Sequence, residues 1–271
     1  MLNVNDDNVM DFISLQYDAG KSKDIQVLCS YDQILTLFDR IRHQWTEVGQ
    51  VEPYHSVLSD EKYNMNNFSA HEIEFHETGK FALSALNSVC LKNDVDCPNG
   101  SIFELGCGVG RSTQYFSPAF ERVYAWDISR GNLSECKKNL EARGVFNVNL
   151  RLVDQVSDYS DVPAHDVFFS EIVIQHNPPP LQYFLLDKVL SKLNPGGVFF
   201  FQTITHHRTY SFNVNDYLNW QHNQSFEMHA LPMRWVNRVI RKNGLVLMDV
   251  IKERLGGYNL DSFTFFGIRP D

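Results

Sequence analysis

The chain has 271 residues, of which 43% are hydrophobic and 21% are charged. This length allows one large core, or one core with a smaller cap. The net charge of −9 opposes binding to nucleic acid or to anionic membranes, and no basic patch overrides it. The five cysteines show neither a disulfide framework nor the spacing of a zinc site. Without a signal peptide or an apolar run of membrane length, a cytoplasmic protein is expected.

Residues 1–98 are predicted to form a helical cap. Apolar residues recur at helical spacing between Tyr31 and Trp45, and again between Ser69 and Leu91. An irregular stretch rich in Tyr, Asn and His lies between these two predicted helices. A turn-like Cys-Pro-Asn-Gly cluster at 97–100 marks the boundary to a second region, residues 99–271.

In this second region, short apolar strands alternate with amphipathic helices. The predicted strands are Ser101–Leu105, Arg122–Trp126, Asn149–Val153, Asp166–Ser170, Gly197–Thr203, Val246–Lys252 and Ser262–Ile268. The predicted helices are Arg111–Ser117, Gly131–Arg143, Pro180–Leu193 and Pro232–Asn243. This alternation predicts an α/β fold with a Rossmann-like, doubly wound and mostly parallel seven-stranded sheet. Because no helix separates the last two strands, an antiparallel strand is expected near the edge.

A glycine-rich loop follows the first predicted strand. Glu104 is followed by Gly106, Gly108 and Gly110 in ELGCGVG, directly before a helix. Glycines allow a tight turn and the close approach of a ligand, and ligands of open α/β sheets bind at the carboxyl ends of the strands. A dinucleotide site needs G-x-G-x-x-G, whereas Arg111 occupies the last glycine position here. This departure disfavours a dehydrogenase, and a Walker loop is excluded because Gly-Lys-Ser/Thr is missing.

An acidic residue followed by G-x-G-x-G resembles the first motif of the class I S-adenosylmethionine-dependent methyltransferases. The resemblance covers residues 99–271 and implies S-adenosylmethionine as cofactor, with S-adenosylhomocysteine as product. Asp127 ends the second strand, where a carboxylate can accept hydrogen bonds from both ribose hydroxyls. The resemblance also implies that Asp154 contacts the adenine, with Gln155 assisting. The predicted cofactor-binding residues are Glu104, Gly106, Cys107, Gly108, Gly110, Arg111, Asp127, Ile128, Asp154, Gln155, Ser170, Glu171 and Gln175.

His176 is the candidate catalytic base. It lies in IVIQHNPPP just past the fourth strand, in a segment that the resemblance places beside the methionine end of the cofactor. A sulfonium methyl is already activated, so the enzyme mainly aligns a nucleophile and excludes water, but a hydroxyl nucleophile also needs a base. A neutral imidazole can take that proton near neutral pH. A structural role of His176 at the entrance to the next helix stays open.

Residues 205–231 are predicted to be an insertion that lines the acceptor site. Its aromatic and amide side chains suit a polyhydroxylated ligand, because rings stack on sugar faces and amides pair with hydroxyls. Upstream, WTEVGQVEPYHSVLS resembles methyltransferases of bacterial surface-polysaccharide and sugar pathways, although His55 stands where an aromatic residue is expected. The predicted acceptor-binding residues are Tyr54, His55, His206, His207, Tyr210 and Trp220.

The sequence thus predicts O-methylation of a sugar or sugar-derived acceptor, in the manner of polysaccharide biosynthesis. An acceptor oxygen on a phosphate or phosphoramidate is already anionic and would need no base. N-methylation of a small amine and a catalytically silent protein that keeps the cofactor fold are the alternatives. No metal site is expected, because Glu171 is the only carboxylate in the segment after strand four. A small-molecule or saccharide acceptor is the expected partner, and the oligomeric state is left open.

Overall fold

The computed structural model describes residues 24–207, 209–220, 226–253 and 260–271. Its strands are β1 (Ser101–Leu105), β2 (Arg122–Asp127), β3 (Val148–Leu152), β4 (His165–Ser170), β5 (Leu193–His207), β6 (Val246–Glu253) and β7 (Leu260–Ile268). They form one sheet in the order β3-β2-β1-β4-β5-β7-β6. Strands β1 to β5 run parallel, and β7 is antiparallel to both β5 and β6. The predicted fold class is therefore confirmed, including the antiparallel strand next to the edge.

Nine α-helices lie within the described ranges. They are α1 (Tyr31–Val51), α2 (Pro53–Val57), α3 (Phe68–Thr78), α4 (Lys80–Lys92), α5 (Thr113–Phe116), α6 (Arg130–Ala142), α7 (Pro179–Leu190), α8 (Val214–Asn219) and α9 (Met233–Lys242). The predicted helix Ser69–Leu91 is divided at Gly79, where a Cβ would collide with the main-chain oxygen of Arg111. The stretch after Trp45 is also more helical than its composition indicates, because α1 continues to Val51. The next residue, Glu52, directly precedes Pro53, and this position disfavours helical backbone.

Helix α1 packs across the carboxyl end of the sheet. Ser30 begins it with a capping box, in which its hydroxyl accepts from the Gln33 amide and the Gln33 side chain accepts from the Ser30 amide. Its apolar stripe buries Leu37 and Ile41 in the core. At its other end, a Cβ on Gly131 would overlap the main chain of α1, so glycine there allows α1 and α6 to approach closely.

The two faces of the sheet carry separate apolar cores. Phe103 and Phe168 belong to the core that also includes α1, α7 and α9. Their neighbours Ile102 and Phe169 belong to the core on the other face, beneath α4 and α6. This assignment follows from the alternation of side chains along each strand.

The order of the strands reverses between β1 and β4. In open α/β sheets this switch point opens a crevice at the carboxyl ends of the strands, where ligands bind. Here the glycine loop follows β1, and residues 171–177 follow β4, so the two segments diverge on either side of the crevice. Among the described residues, no helix is both long and apolar enough to cross a membrane.

Candidate active site

A cavity occupies the crevice at the switch point. It holds about 1000 Å³ of atom-free space, counting its open mouth. Nine of the residues predicted to bind the cofactor or to act as base line it: Glu104, Gly106, Cys107, Gly108, Arg111, Asp127, Ile128, Glu171 and His176. The fold thus brings together residues at the ends of β1 and β2 and in the segment after β4, which are up to 72 positions apart in the sequence.

The glycine loop forms the floor of the cavity. Gly106, Gly108 and Gly110 have φ values of 79°, 55° and 82°, in the left-handed region that residues with a Cβ rarely adopt. A Cβ on Gly108 would lie 2.6 Å from a methyl group of Val57, which itself lines the cavity. The missing side chains therefore leave main-chain groups exposed to a ligand.

Asp127 is oriented by the main chain around it. Its Oδ2 accepts from the Gly108 amide at 2.8 Å, and its Oδ1 accepts from the Ser129 amide at 2.7 Å. Burial raises the pKa of this carboxyl, and the amide hydrogen bonds act against that shift. Each oxygen has a second lone pair, so the carboxylate can accept two further hydrogen bonds from a ligand in the cavity.

Glu104 lies beneath the loop and is buried at the end of β1. Its Oε2 accepts from the Thr113 hydroxyl at 2.6 Å. Burial raises the pKa of Glu104 to about 7, although the hydrogen bond from Thr113 opposes the shift. Near neutral pH this carboxyl is therefore close to half protonated.

An ion pair also lines the cavity. The Arg111 guanidinium lies 3.6 Å from Glu171 Oε2 and also donates to the Thr78 hydroxyl at 3.3 Å. Among the described residues, the buried Arg111 Nε has no hydrogen-bond partner. Ile172 next to this pair has φ = 57°, a strained backbone for a β-branched residue and one that clusters at functional sites. A zwitterionic ligand group could exchange partners with this pair.

His176 follows β4 and is oriented by one hydrogen bond. Its Nδ1 lies 2.9 Å from the main-chain oxygen of Glu227. A carbonyl can only accept, so Nδ1 carries the proton and Nε2 of the neutral ring keeps its lone pair. Burial lowers the pKa of His176 to about 4, so the ring is neutral near pH 7.

The cavity is roofed by residues that the sequence analysis did not assign to the site. Phe38, Ile41 and Trp45 of α1 line it, and the Trp45 ring packs 5.0 Å from the His176 ring. Their helical spacing was visible in the sequence, but that spacing indicates only a buried face. Nothing local in the sequence shows that this face also covers a ligand cavity.

Five predicted cofactor residues lie outside the cavity lining. Gly110 packs against α6, and Ser170 donates to the main-chain oxygen of Leu105. Gln175 is buried and accepts from the Gln202 amide. The Asp154 side chain is 67% exposed and lies 3.5 Å from Arg42, while Gln155 caps the turn that follows β3.

The predicted acceptor residues lie in three places. Tyr54 stacks on Phe68 at 3.5 Å within an aromatic cluster of the cap, and His55 lies with its ring 5.8 Å from that of Phe226. His206 and His207 end β5, opposite β7.

Tyr210 and Trp220 line a second depression, here called the outer cleft. Its lining comprises Tyr210, Phe212, Asn213, Asp216, Tyr217, Asn219, Trp220, Glu227 and His229, with Asp24, Ile25, Gln26, Ser211 and Met228. Glu227 connects the two depressions, because its side chain lines the outer cleft and its main-chain oxygen holds His176. Within the described part of the chain, no group of three or more His, Cys, Asp or Glu could hold a metal ion.

Comparisons with known proteins agree with this geometry. Residues 102–197 match the family model described as a methyltransferase domain. Over 105 residues the chain is 29% identical to a carboxy-S-adenosyl-L-methionine synthase of Shewanella baltica, which covers 37% of this chain and 43% of that protein. The corresponding synthase of Hydrogenovibrio crunogenus is 26% identical over 106 residues, or 41% of its length. The match therefore spans less than half of either relative.

Solved structures with the same fold cover more of the chain. A magnesium protoporphyrin IX methyltransferase from Synechocystis PCC 6803, with S-adenosylhomocysteine bound, superimposes with a TM-score of 0.58 at 13% identity and covers 84% of this chain and 99% of its own. A methyltransferase from Clostridium acetobutylicum gives a TM-score of 0.52 at 14% identity, over 76% of this chain and 99% of its own. The chain therefore has a Rossmann-like methyltransferase fold, and its residues 102–197 match a methyltransferase domain.

Proposed function

We propose that the protein transfers the methyl group of S-adenosylmethionine to a hydroxyl oxygen of a sugar or sugar-derived acceptor. The observation that carries this proposal is the tautomer of the His176 ring. Its Nδ1 proton is committed to the Glu227 carbonyl, which leaves Nε2 as a proton acceptor on a residue that lines the cavity. Because burial keeps this imidazole neutral near pH 7, its Nε2 is available to accept the proton of a hydroxyl.

The lining of the cavity fits the cofactor. Asp127 has two lone pairs available for the ribose hydroxyls, and Ile128 beside it offers an apolar contact for the adenine. The Arg111–Glu171 pair, with its unpartnered Arg111 Nε, matches the carboxylate and ammonium of the methionine end. When bound, S-adenosylmethionine supplies an electrophilic methyl on a positively charged sulfur.

The chain's own residues would then orient the acceptor and move one proton. His176 Nε2 takes the proton of the hydroxyl whose oxygen forms the new bond to the methyl carbon. Trp45, Phe38 and Ile41 cover the cavity from α1 and reduce the access of water. The His176 ring keeps its orientation throughout, because Nδ1 stays bonded to the Glu227 oxygen.

The outer cleft supports a polyhydroxylated acceptor of the kind used in polysaccharide pathways. It combines the rings of Tyr210 and Trp220 with the amides of Asn213 and Asn219. Flat rings stack on sugar faces, and amides donate to and accept from hydroxyls. A phosphate or phosphoramidate oxygen remains the variant in which His176 would not be needed.

The test measures release of S-adenosylhomocysteine with a panel of hydroxylated, phosphorylated and amine acceptors. For a hydroxyl acceptor, His176→Gln should lower kcat at least about 100-fold while leaving the cofactor Kd within about threefold. His71→Gln is the matched control, because His71 lies outside the cavity and its side chain is 39% exposed. Near-normal turnover of His176→Gln would reject the base and favour an acceptor that is already anionic.

A second candidate is modification of the cofactor itself. It is favoured by the two curated relatives named above, both of which are carboxy-S-adenosyl-L-methionine synthases. Mass spectrometry of the reaction mixture separates the two candidates. Methyl transfer leaves S-adenosylhomocysteine and a methylated acceptor, whereas the second candidate, in a mixture that also contains a carboxyl donor, leaves a carboxylated cofactor and an unchanged acceptor.

A further inference from the structure

Two segments that are far apart in the sequence are joined beside His176 by hydrogen bonds whose acceptors are main-chain oxygens. The His229 amide donates to the Gln175 oxygen at 2.8 Å, and His176 Nδ1 donates to the Glu227 oxygen at 2.9 Å. The side-chain amide of Gln182 donates to the main-chain oxygens of Asn177 and His229, at 2.7 and 3.1 Å. Residues 227–229 therefore fix the main chain on both sides of His176 as well as its ring.

The side chains of this second segment form a buried polar cluster on the side away from His176. Glu227 Oε2 accepts from the Tyr217 hydroxyl at 2.6 Å and lies 3.2 Å from His229 Nε2. Glu227 Oε1 accepts from Gln44 at 3.3 Å and lies 3.6 Å from the Arg40 guanidinium. All four neighbours are donors, so the site requires an ionised carboxylate at position 227.

His229 extends this cluster toward Tyr210. Because a carboxylate cannot donate, His229 Nε2 carries a proton, and Nδ1 accepts from the Tyr210 hydroxyl at 2.7 Å. Although burial opposes it, the hydrogen bonds from His229 and Tyr217 hold the pKa of Glu227 below its ordinary value. Burial in turn lowers the pKa of His229. Each member of the Tyr210–His229–Glu227 chain thus has a defined proton position.

We infer that Glu227 and His229 are positioning residues, which hold His176 in the tautomer that leaves Nε2 free to act as the base. The inference rests on the proposed function of His176. In water a neutral imidazole prefers the proton on Nε2, so the opposite tautomer needs an acceptor fixed beside Nδ1. That acceptor is a main-chain oxygen, and its place depends on the ion pair and hydrogen bonds of its own side chain.

The backbone next to this oxygen is strained, which makes the anchoring necessary. Phe226 has φ = 61° in the left-handed region, where a residue with a bulky side chain is costly. Its ring packs against Trp45 at 5.7 Å, over the His176 ring. The Glu227 carboxylate, through its ion pair with Arg40 and its hydrogen bond from Tyr217, helps to hold this conformation against relaxation of the backbone.

The experiment observes the His176 ring directly, in protein labelled with ¹⁵N-histidine and without cofactor. The shifts of the two ring nitrogens report which one is protonated, and the His176→Gln spectrum identifies the resonances. We expect one tautomer in the wild type, with the proton on Nδ1. In Glu227→Gln, whose amide would oppose the surrounding donors, we expect averaged shifts from both tautomers. Glu121→Gln, the same change at an exposed position outside both depressions, should resemble the wild type.

Turnover supplies the second readout. Glu227→Gln should lower kcat at least about tenfold and leave the cofactor Kd within about twofold, because the residue acts on the base rather than on cofactor binding. If Glu227→Gln does not fold, Tyr217→Phe tests the same inference. It removes only one of the donors to the Glu227 carboxylate, so we expect a smaller shift between the His176 tautomers and a smaller fall in kcat.

An unchanged Nδ1-protonated spectrum in folded Glu227→Gln, or in Tyr217→Phe where that variant alone folds, would overturn the inference. Failure of the proposed function gives a different pattern. In that case His176→Gln would keep its turnover, while the tautomer of His176 would still depend on Glu227.

Discussion

The buried carboxyl of Glu104 makes the stability of the protein depend on pH in a direction that can be measured. Its pKa is raised from 4.5 to about 7, mainly by burial. Between these two values the folded state binds more protons than the unfolded state, so stability falls as the pH rises and levels off above the folded-state pKa. From about pH 5 to about pH 8, this group should cost roughly 2 to 3 kcal/mol of unfolding free energy.

Glu104→Gln removes the charge but keeps an oxygen that can accept from the Thr113 hydroxyl. Urea unfolding of the cofactor-free protein, followed by circular dichroism, gives the unfolding free energy at both pH values. The wild type should lose about 2 to 3 kcal/mol more than the variant over this range, since the other titrating groups are common to both proteins. The same pH dependence in both proteins would refute the assignment of a raised pKa to Glu104.

Two further predictions concern the reaction and the cofactor. Burial lowers the pKa of His176 to about 4, and the neighbouring His229 adds to this effect while the Glu227 oxygen opposes it. In a Glu104→Gln background, which removes the carboxyl that titrates near pH 7, kcat/KM should therefore stay flat through neutral pH and fall only below about pH 5. A pH–rate profile whose acidic limb lies near the ordinary histidine pKa would contradict this assignment. Asp154→Ala should change the cofactor Kd by less than about threefold, because its side chain is exposed and paired with Arg42 outside the cavity. Calorimetric titration measures this Kd. A loss of cofactor affinity of tenfold or more would contradict this expectation and support the contact with adenine that the family resemblance implies.

The sheet and the cofactor loop could be predicted because their signals are local. Strand and helix periodicity, the glycine spacing after β1 and the acidic end of β2 are each contained in a few consecutive residues. Asp127 accordingly lies where the sequence indicates, on the cavity and against the Gly108 amide. The break of the helix at Gly79 escaped prediction, and the close approach of the Arg111 main chain to Gly79 is a contact between distant segments that no local pattern indicates.

The parts of the site that depend on contacts between distant segments could not be predicted. The apolar stripe of α1 looks the same whether it covers a core or a ligand, so the role of Trp45 is visible only in three dimensions. Glu227 is one carboxylate in an amide-rich segment, and its partners Arg40 and Gln44 lie 187 and 183 positions away. Asp154 shows the opposite case. The acidic residue that the family resemblance leads one to expect after β3 is present, but its side chain pairs with Arg42.

The most direct test of the central claim is calorimetric titration of the cofactor-free protein with S-adenosylmethionine and, separately, with NADH. We expect the protein to bind S-adenosylmethionine and not NADH. We also expect at least about tenfold weaker binding of S-adenosylmethionine by Asp127→Asn, which loses charge-assisted hydrogen bonds to the ribose. Asp161→Asn, at an exposed carboxylate paired with Arg151, should bind like the wild type. No heat of binding with the wild type, or equal affinity in Asp127→Asn, would contradict the assignment of this cavity as the cofactor site.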